Sequence, residues 1–412
     1  MICLRIVVQK FGGSSMAGKE PRSCVVKHVR SELDRGSRLI IVVSAMGRKG
    51  DPYATDTLLD FIQENGGELP PRETDLLLSC GEIISAATLC SLLHAEGIAS
   101  TVLTGAQAGI LTNNVYGDAR IISIDPQLLL ERLESYPAVI VAGFQGMNRQ
   151  GDITTLGRGG SDTTAAALAV SVNAERVDIF TDVDGVLTAD PKIVKEAKPL
   201  DRISYAEICN MAYQGAKVIH PRAVEIAMQA GIPMRIRSTF STGPGTLVAS
   251  QERLRKDGAV QDKYVTGIAQ VPHVSQIQIT SAQGQYDLQL QIFKAMAMHR
   301  ISVDFINVAP SGVTYTVFDH EVDKAEQILQ ELGYAPVITK GCAKVAVIGG
   351  GMNGVPGIMA KVVESLMENN IRILQTADSN NTIWVLVDGE NMASAVRALH
   401  QKFLTNDTLE GI

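Results

Sequence analysis

Along the first 250 residues, short runs rich in Val, Ile and Leu alternate with segments of helical periodicity. The runs fall at residues 39–43, 100–103, 138–142, 177–180 and 234–236, and residues 1–8 read as a strand ahead of them. Such alternation predicts an α/β sheet with helices on both faces. Ligands of such a sheet collect beyond the carboxyl ends of its strands. Glycine-rich segments stand at those ends: Gly12-Gly13 after the strand at 1–8, Ser44-Ala45-Met46-Gly47 after 39–43, and Gly143-Phe144-Gln145-Gly146 after 138–142.

The pattern then changes. The charged stretch 251–258 reads as a linker, and beyond it the chain repeats itself without a gap. Ile301 falls on Ile371, Val303 on Ile373, Val313 on Ile383, Val317 on Val387, Ala325 on Ala395 and Leu329 on Leu399. Upstream, Ile292, Phe293 and Met296 fall on Val362, Val363 and Leu366. Each unit reads strand, helix, strand, strand, helix, a small α+β module near the minimum size for one core. Two such modules are expected to pair with each other or with a second chain. The boundaries that follow are a first domain over 1–250, a linker over 251–262, and modules over 263–341 and 342–412. Gly349-x-Gly351-x-x-Gly354 after an apolar run matches a dinucleotide fingerprint. Too little chain follows Gly351 for such a fold, and the segment overlays the preceding module, so it is read as structural.

Composition narrows the function. A chain of 412 residues is expected to hold two or three domains. A net charge of −7 and a pI near 5.6 argue against a nucleic-acid surface. No uninterrupted apolar run reaches the length of a membrane span, and polar residues follow residues 1–8 at once, so neither a membrane span nor a signal peptide is expected. The expected compartment is cytoplasmic. Six cysteines without any Cys-x-x-Cys read as buried small apolar residues, and dispersed histidines predict no protein metal site. His220, between Ile219 and Pro221, reads as structural.

The chemistry is expected in the first domain. Gly157-Arg158-Gly159-Gly160-Ser161-Asp162 leads into an alanine-rich run of strong helix-forming character. Paired glycines let backbone N–H groups approach an anion, Ser161 or Asp162 can cap the helix, and the helix N-terminus carries partial positive charge. An ordinary strand-to-helix turn would look the same. Lys10-Phe11-Gly12-Gly13 closes the first strand, where glycines can wrap phosphate oxygens and a lysine can neutralise charge on a transferring phosphoryl group. It lacks the spacing of a P-loop. Two such cradles, with one lysine and one arginine between them, favour phosphoryl transfer over simple binding.

These segments, with Val43-Ser44-Ala45-Met46-Gly47, Ser79-Cys80-Gly81-Glu82 and residues 181–191, resemble the successive signature motifs of aspartokinases. The tandem repeat is similar to the paired ACT modules of that family, and residues 47–56 and 293–304 resemble its diaminopimelate-sensitive members from Bacillus-type bacteria. The resemblance implies an amino-acid-kinase-type three-layer αβα sandwich followed by two ferredoxin-like ACT modules. It implies ATP-dependent phosphorylation of L-aspartate to 4-phospho-L-aspartate, the entry to lysine, diaminopimelate, threonine and methionine. Lys10, Phe11, Gly12 and Gly13 would then hold the ATP phosphates, and Thr181, Asp182, Leu187, Thr188, Ala189, Asp190, Pro191, Lys192 and Lys217 would line the nucleotide, with Ser161 beside it. Ser44, Thr55 and Glu82 would hold aspartate, Glu82 at its ammonium, with Arg158, Gly159, Gly160 and Ser161 around it. Arg158 suits bidentate capture of a carboxylate, and Asp162 would orient Lys10 or the ammonium.

ATP chemistry implies Mg²⁺ held by phosphates and water, with no protein ligand assigned. The ACT resemblance implies an amino-acid effector and a homodimer or higher homo-oligomer. Ala282-Gln283-Gly284-Gln285 departs from the usual ACT loop, whereas Val355-Pro356-Gly357 keeps it. The departure fits meso-diaminopimelate, rather than lysine or threonine, acting through Asp304 and Asn307. Other amino-acid-kinase-fold carboxylate kinases, or a regulatory amino-acid-sensing subunit, are the alternatives.

Overall fold

The computed structural model describes residues 5–216, 218–256, 264–280, 287–352 and 354–405. The chain divides into two compact units. Met1–Val186, Pro199–Ala212 and Lys217–Val260 form the first, and Leu187–Lys198, Tyr213–Ala216 and Gln261–Ile412 the second.

The first unit is built on an eight-stranded sheet. Its strands run, in order across the sheet, Arg202–Ser204, Thr246–Ala249, Met234–Ser238, Arg176–Thr181, Ile6–Phe11, Arg38–Val43, Ala138–Ala142 and Ser100–Leu103. All neighbours are parallel except Met234–Ser238 against Thr246–Ala249. The apolar runs are continuous because both faces are covered: Leu39 to Val43 and Ala138 to Ala142 have no exposed surface. Register aligns Phe11 with Val43 and with Phe180, and Val43 with Ala142, so four strand ends stand side by side. A second, four-stranded sheet of Ile121–Ile124, Ile110–Thr112, Gln145–Met147 and Ile153–Thr155 lies in the same unit. Its strands are too short and too polar to stand out in the sequence pattern.

Helix Pro71–Ala95 differs from expectation. By length and composition it could cross a membrane, although no single uninterrupted apolar run had suggested this. Its apolar side chains Leu78, Ala86, Leu89 and Leu93 are buried instead in the core of this unit, together with the carboxylates of Asp75 and Glu82. The cysteines also divide: Cys209 and Cys342 are buried, Cys24 and Cys90 half-buried, and Cys80 exposed, because it faces outward from the same helix. The stretch expected as a linker opens with helix Gln251–Lys256.

In the second unit the two modules share one six-stranded antiparallel sheet, in the order Asp304–Ala309, Gly312–Phe318, Gly267–Thr280, Val337–Ile348, Thr382–Asp388 and Gln375–Ser379. The modules therefore pair with each other through their first strands. The repeat is a repeat of burial: Val313, Val317, Ala325 and Leu329 fill one core, and Ile383, Val387, Ala395 and Leu399 the other. Val345 to Ile348 lie in an antiparallel strand, which excludes the parallel βαβ setting that a dinucleotide fingerprint requires.

Candidate active site

The carboxyl ends of the parallel strands gather most of the expected residues. Lys10 sits near the end of its strand, and its Nζ lies 2.8 Å from Asp162 Oδ1 with only 13% of either side chain exposed. Next to it, a Cβ on Gly12 would stand 3.4 Å from Nζ, and one on Gly13 would stand 2.5 Å from the Gly47 carbonyl oxygen. Gly13 thus lets the first turn meet the second. The Gly47 N–H donates to the Gly13 carbonyl at 2.9 Å, and the Ser44 N–H to that of Phe11 at 3.1 Å. Ser44 is half-buried at this junction.

Glu82 comes to the same loop from helix Pro71–Ala95. The residue lies inside the helix, eleven residues past Pro71, and is 2% exposed. Its Oε1 accepts the Ala45 N–H at 3.0 Å, while its buried Oε2 has no partner. Burial pushes its pKa up to about 8, against the opposing pull of backbone N–H groups. Gly81 makes this approach possible, since a Cβ there would lie 2.9 Å from that of Ala45 and 3.1 Å from the Tyr53 carbonyl oxygen. Tyr53 stands two residues before helix Thr55–Asn65, which opens on the half-buried Thr55.

The glycine corner forms a helix start of a different kind from the one expected. Gly159 caps helix Gly160–Ser171 in the left-handed conformation at φ 69°, with no side-chain cap, so Ser161 and Asp162 occupy the first turn instead. Only glycine fits at 159, because a Cβ would overlap the ring of His220. Ser161, 6% exposed, packs where a Cβ on Gly143 would lie 2.9 Å from its Oγ. Arg158 is exposed, and no neighbour among the described residues engages its guanidinium.

Two further residues shape this corner. His220 donates its backbone N–H to Asp162 Oδ2 at 3.3 Å, its ring walls Gly159, and its buried Nδ1 has no partner. Burial lowers its pKa, and the Arg158 charge adds to the effect. Phe144 holds φ 68°, unusual for a residue with a side chain, and its backbone joins Thr164 and Leu156 around the corner. Only a histidine preceding a helix-starting proline, and a Gly-Phe-Gln-Gly turn, marked them in sequence.

The expected nucleotide residues fall in both units. Thr181 ends its strand and donates to Asp182 Oδ1 at 3.2 Å, and Asp182 pairs with Arg48 at 2.6 Å on the surface. Leu187, Thr188, Ala189, Asp190, Pro191 and Lys192 belong to the second unit. There Ala189 joins the core, and Thr188 Oγ1 accepts the Lys198 N–H at 3.0 Å and lies 2.9 Å from His400 Nε2. Lys217 lies outside the described residues, as do Ala282, Gln283, Gly284 and Gln285. Asp304 is ion-paired with the buried Lys344, and Asn307 is exposed on the same edge strand.

A lysine–aspartate pair, an unpartnered arginine and a buried carboxylate with one free oxygen suit an anionic, ammonium-bearing substrate beside a phosphoryl group. Residues 5–238 match the model of the amino acid kinase family, and residues 337–401 that of the ACT domain. Aspartokinase 1 of Bacillus subtilis (strain 168) is 52% identical over 400 residues, which span 97% of this chain and 99% of that protein. The chain belongs to the aspartokinase family.

As an aspartokinase it phosphorylates aspartate at the expense of ATP. Escherichia coli aspartokinase III in complex with aspartate and ADP (R-state) is similar at a TM-score of 0.77 and 28% identity, over 96% of this chain and 99% of that one. The same enzyme in complex with lysine and aspartate (T-state) gives 0.74 and 28%, over 97% and 100%. The aspartokinase fold therefore extends through both ACT modules, whose shared sheet the repeat had foreshadowed.

Proposed function

We propose that Lys10, Glu82, Arg158 and Asp162 carry the aspartokinase reaction of this chain. The side-chain carboxylate of aspartate, with a pKa near 4, is already ionised at neutral pH, so no general base is required. Catalysis then rests on alignment and on charge neutralisation. Glu82 receives the substrate ammonium on Oε2, and Arg158 grips a carboxylate in bidentate fashion. Gly159, Gly160 and Ser161 present backbone to the substrate, with Ser44 and Thr55 on the facing loops. Asp162 holds Lys10 so that Nζ meets the charge developing on the transferring phosphoryl group. Phe11, Gly12 and Gly13 shape the phosphate side, and Thr181, Asp182, residues 187–192 and Lys217 complete the nucleotide site. The observation that carries this reading is the buried, unpartnered Oε2 of Glu82, which a cationic group would satisfy.

Mg²⁺ would enter with ATP. Among the described residues no three His, Cys, Asp or Glu side chains gather as a metal site, and the Asp162 carboxylate is engaged by Lys10 and His220. The ion's role would be to neutralise phosphate charge, coordinated by phosphate oxygens and water. We read 1–250 as the catalytic domain, 263–341 and 342–412 as regulatory modules, and the enzyme as a cytoplasmic homodimer or higher homo-oligomer. The edge strand Asp304–Ala309, with Ile306 and Val308 exposed, suits that assembly. The effector we assign is meso-diaminopimelate, with Asp304 and Asn307 in its site.

A coupled assay of ADP release with L-aspartate, adding meso-diaminopimelate, lysine and threonine separately, tests the reading. Aspartate-dependent turnover inhibited by millimolar diaminopimelate is expected. Inhibition by lysine alone would overturn the effector, and turnover with glutamate but not aspartate would overturn the substrate site.

A further inference from the structure

Two charged side chains outside the residues assigned to the site grip the chain just before Arg158. Asp75 is 1% exposed and stands two helical turns ahead of Glu82 on helix Pro71–Ala95. Its Oδ1 accepts the Thr155 hydroxyl at 2.7 Å, its Oδ2 accepts the Thr155 N–H at 2.8 Å, and the Gly117 N–H reaches both oxygens at 3.0 to 3.1 Å. The half-buried Arg222 on helix Pro221–Ala230 donates to the Leu156 carbonyl from Nη1 and to the Ala119 carbonyl from Nη2, each at 3.0 Å. The Ala119 N–H donates to the Thr155 carbonyl at 2.8 Å and ties the two gripped segments together. Past this point only Leu156 and Gly157 precede Arg158, and a Cβ on Gly157 would crowd Asp118 at 2.8 Å.

We propose that Asp75 and Arg222 are positioning residues that together fix the segment from which Arg158 reaches the substrate. The carboxylate takes N–H groups and the guanidinium takes C=O groups of the same two chain segments, 117–119 and 155–156, so the pair satisfies both backbone polarities in a place where neither can be left unpaired. Asp75 and Glu82 share one helix, so the segment carrying Arg158 and the residue assigned to the ammonium are referenced to the same rigid element. A small displacement of a positioning group costs one to two orders of magnitude in an aligned reaction. The inference rests on the reading that Arg158 grips aspartate.

Steady-state kinetics in both substrates, with thermal melting, on full-length Asp75→Asn, Arg222→Lys and Thr155→Val tests it, with Arg158→Ala as reference. The KM for aspartate is expected to rise about tenfold or more in each of the three, with the KM for ATP within about twofold. Thr155→Val removes one hydroxyl bond only and decides the matter if Asp75→Asn fails to fold. Lower melting temperatures with unchanged aspartate KM, or equal rises in both KM values, would overturn the positioning role. If Arg158→Ala moves the ATP KM instead, the assignment of Arg158 to aspartate falls. The grip itself still stands in that case if the other variants move the ATP KM too, and falls if they do not.

Discussion

Glu82 makes aspartate binding depend on pH in a direction the structure dictates. With its pKa at about 8, the side chain of the free enzyme is mostly protonated at neutral pH, and an ammonium group requires it ionised. Binding must therefore expel one proton. The apparent KM for aspartate should exceed its limiting value by a factor of one plus ten to the power of the difference between the pKa and the pH. That is about a hundredfold at pH 6, about elevenfold at pH 7 and under twofold at pH 8.5, each unit corresponding to about 1.4 kcal/mol. Aspartate titrations by ADP release between pH 6 and 8.5, at saturating ATP, read this slope directly. Glu82→Gln should raise KM and flatten its pH dependence, because the proton no longer has to leave. Stability moves the other way. Between 4.5 and about 8 the unfolded chain has lost this proton and the folded protein has kept it, so folding weakens as pH rises across that window. Glu82→Gln, without aspartate, should accordingly melt higher at pH 8. A KM for aspartate that stays flat from pH 6 to 8, or a slope that survives in Glu82→Gln, would refute the reasoning.

Other consequences are as direct. Lys10→Ala should collapse kcat far more than it weakens ATP binding, because Nζ is assigned to charge that appears only as the phosphoryl group transfers. Near-normal turnover would remove that role. Gly159→Ala should destabilise the first unit by about 1–3 kcal/mol, from left-handed strain and displacement of the His220 ring, and a melting temperature unchanged from wild type would contradict the packing. Thr188→Val should loosen the second unit by about 1–3 kcal/mol, since it strands the Lys198 N–H and His400 Nε2, as read by hydrogen exchange over residues 187–198. Because Thr188 Oγ1 already accepts the Lys198 N–H, its own hydrogen can go to His400 Nε2 only while that nitrogen is unprotonated. Burial lowers the His400 pKa below 6.5. As pH falls through 6.5 the unfolded chain takes up a proton that the folded one refuses, so this contribution to stability declines with acidification.

What could be read from the sequence follows from what burial does to a pattern. Strands covered on both faces appear as unbroken apolar runs, which is why residues 39–43 and 138–142 declared themselves. The ACT modules were visible because equivalent residues fill equivalent cores. The glycine corner at 157–162 was visible because its glycines answer to backbone geometry, which is local. Glu82 was harder, since a carboxylate in the middle of an apolar helix looks the same in sequence whether it faces water or the protein interior. Only the Ala45 N–H, brought to it from a distant loop, tells the two apart.

The same reasoning explains why the sequence pattern gave no sign that residues 187–192, which lie within the amino acid kinase match, pack with the second unit. A motif records the family's chemistry, but the side in which a segment is packed depends on partners far along the chain. Thr188 is held by His400 and by the backbone N–H of Ile268, and Ala189 belongs to the same core as Val345, Val385 and Leu399. None of these contacts leaves a local trace. The segment assigned to the nucleotide is thus folded as part of the regulatory unit. An effector that alters packing in that unit acts on the same body of structure as Thr188 and Ala189, without requiring any signal to be relayed to them. Regulation of this aspartokinase is then expected to appear first in ATP-dependent parameters. Asp75, Glu82 and Arg158, which belong wholly to the first unit, should leave the intrinsic aspartate affinity comparatively insulated.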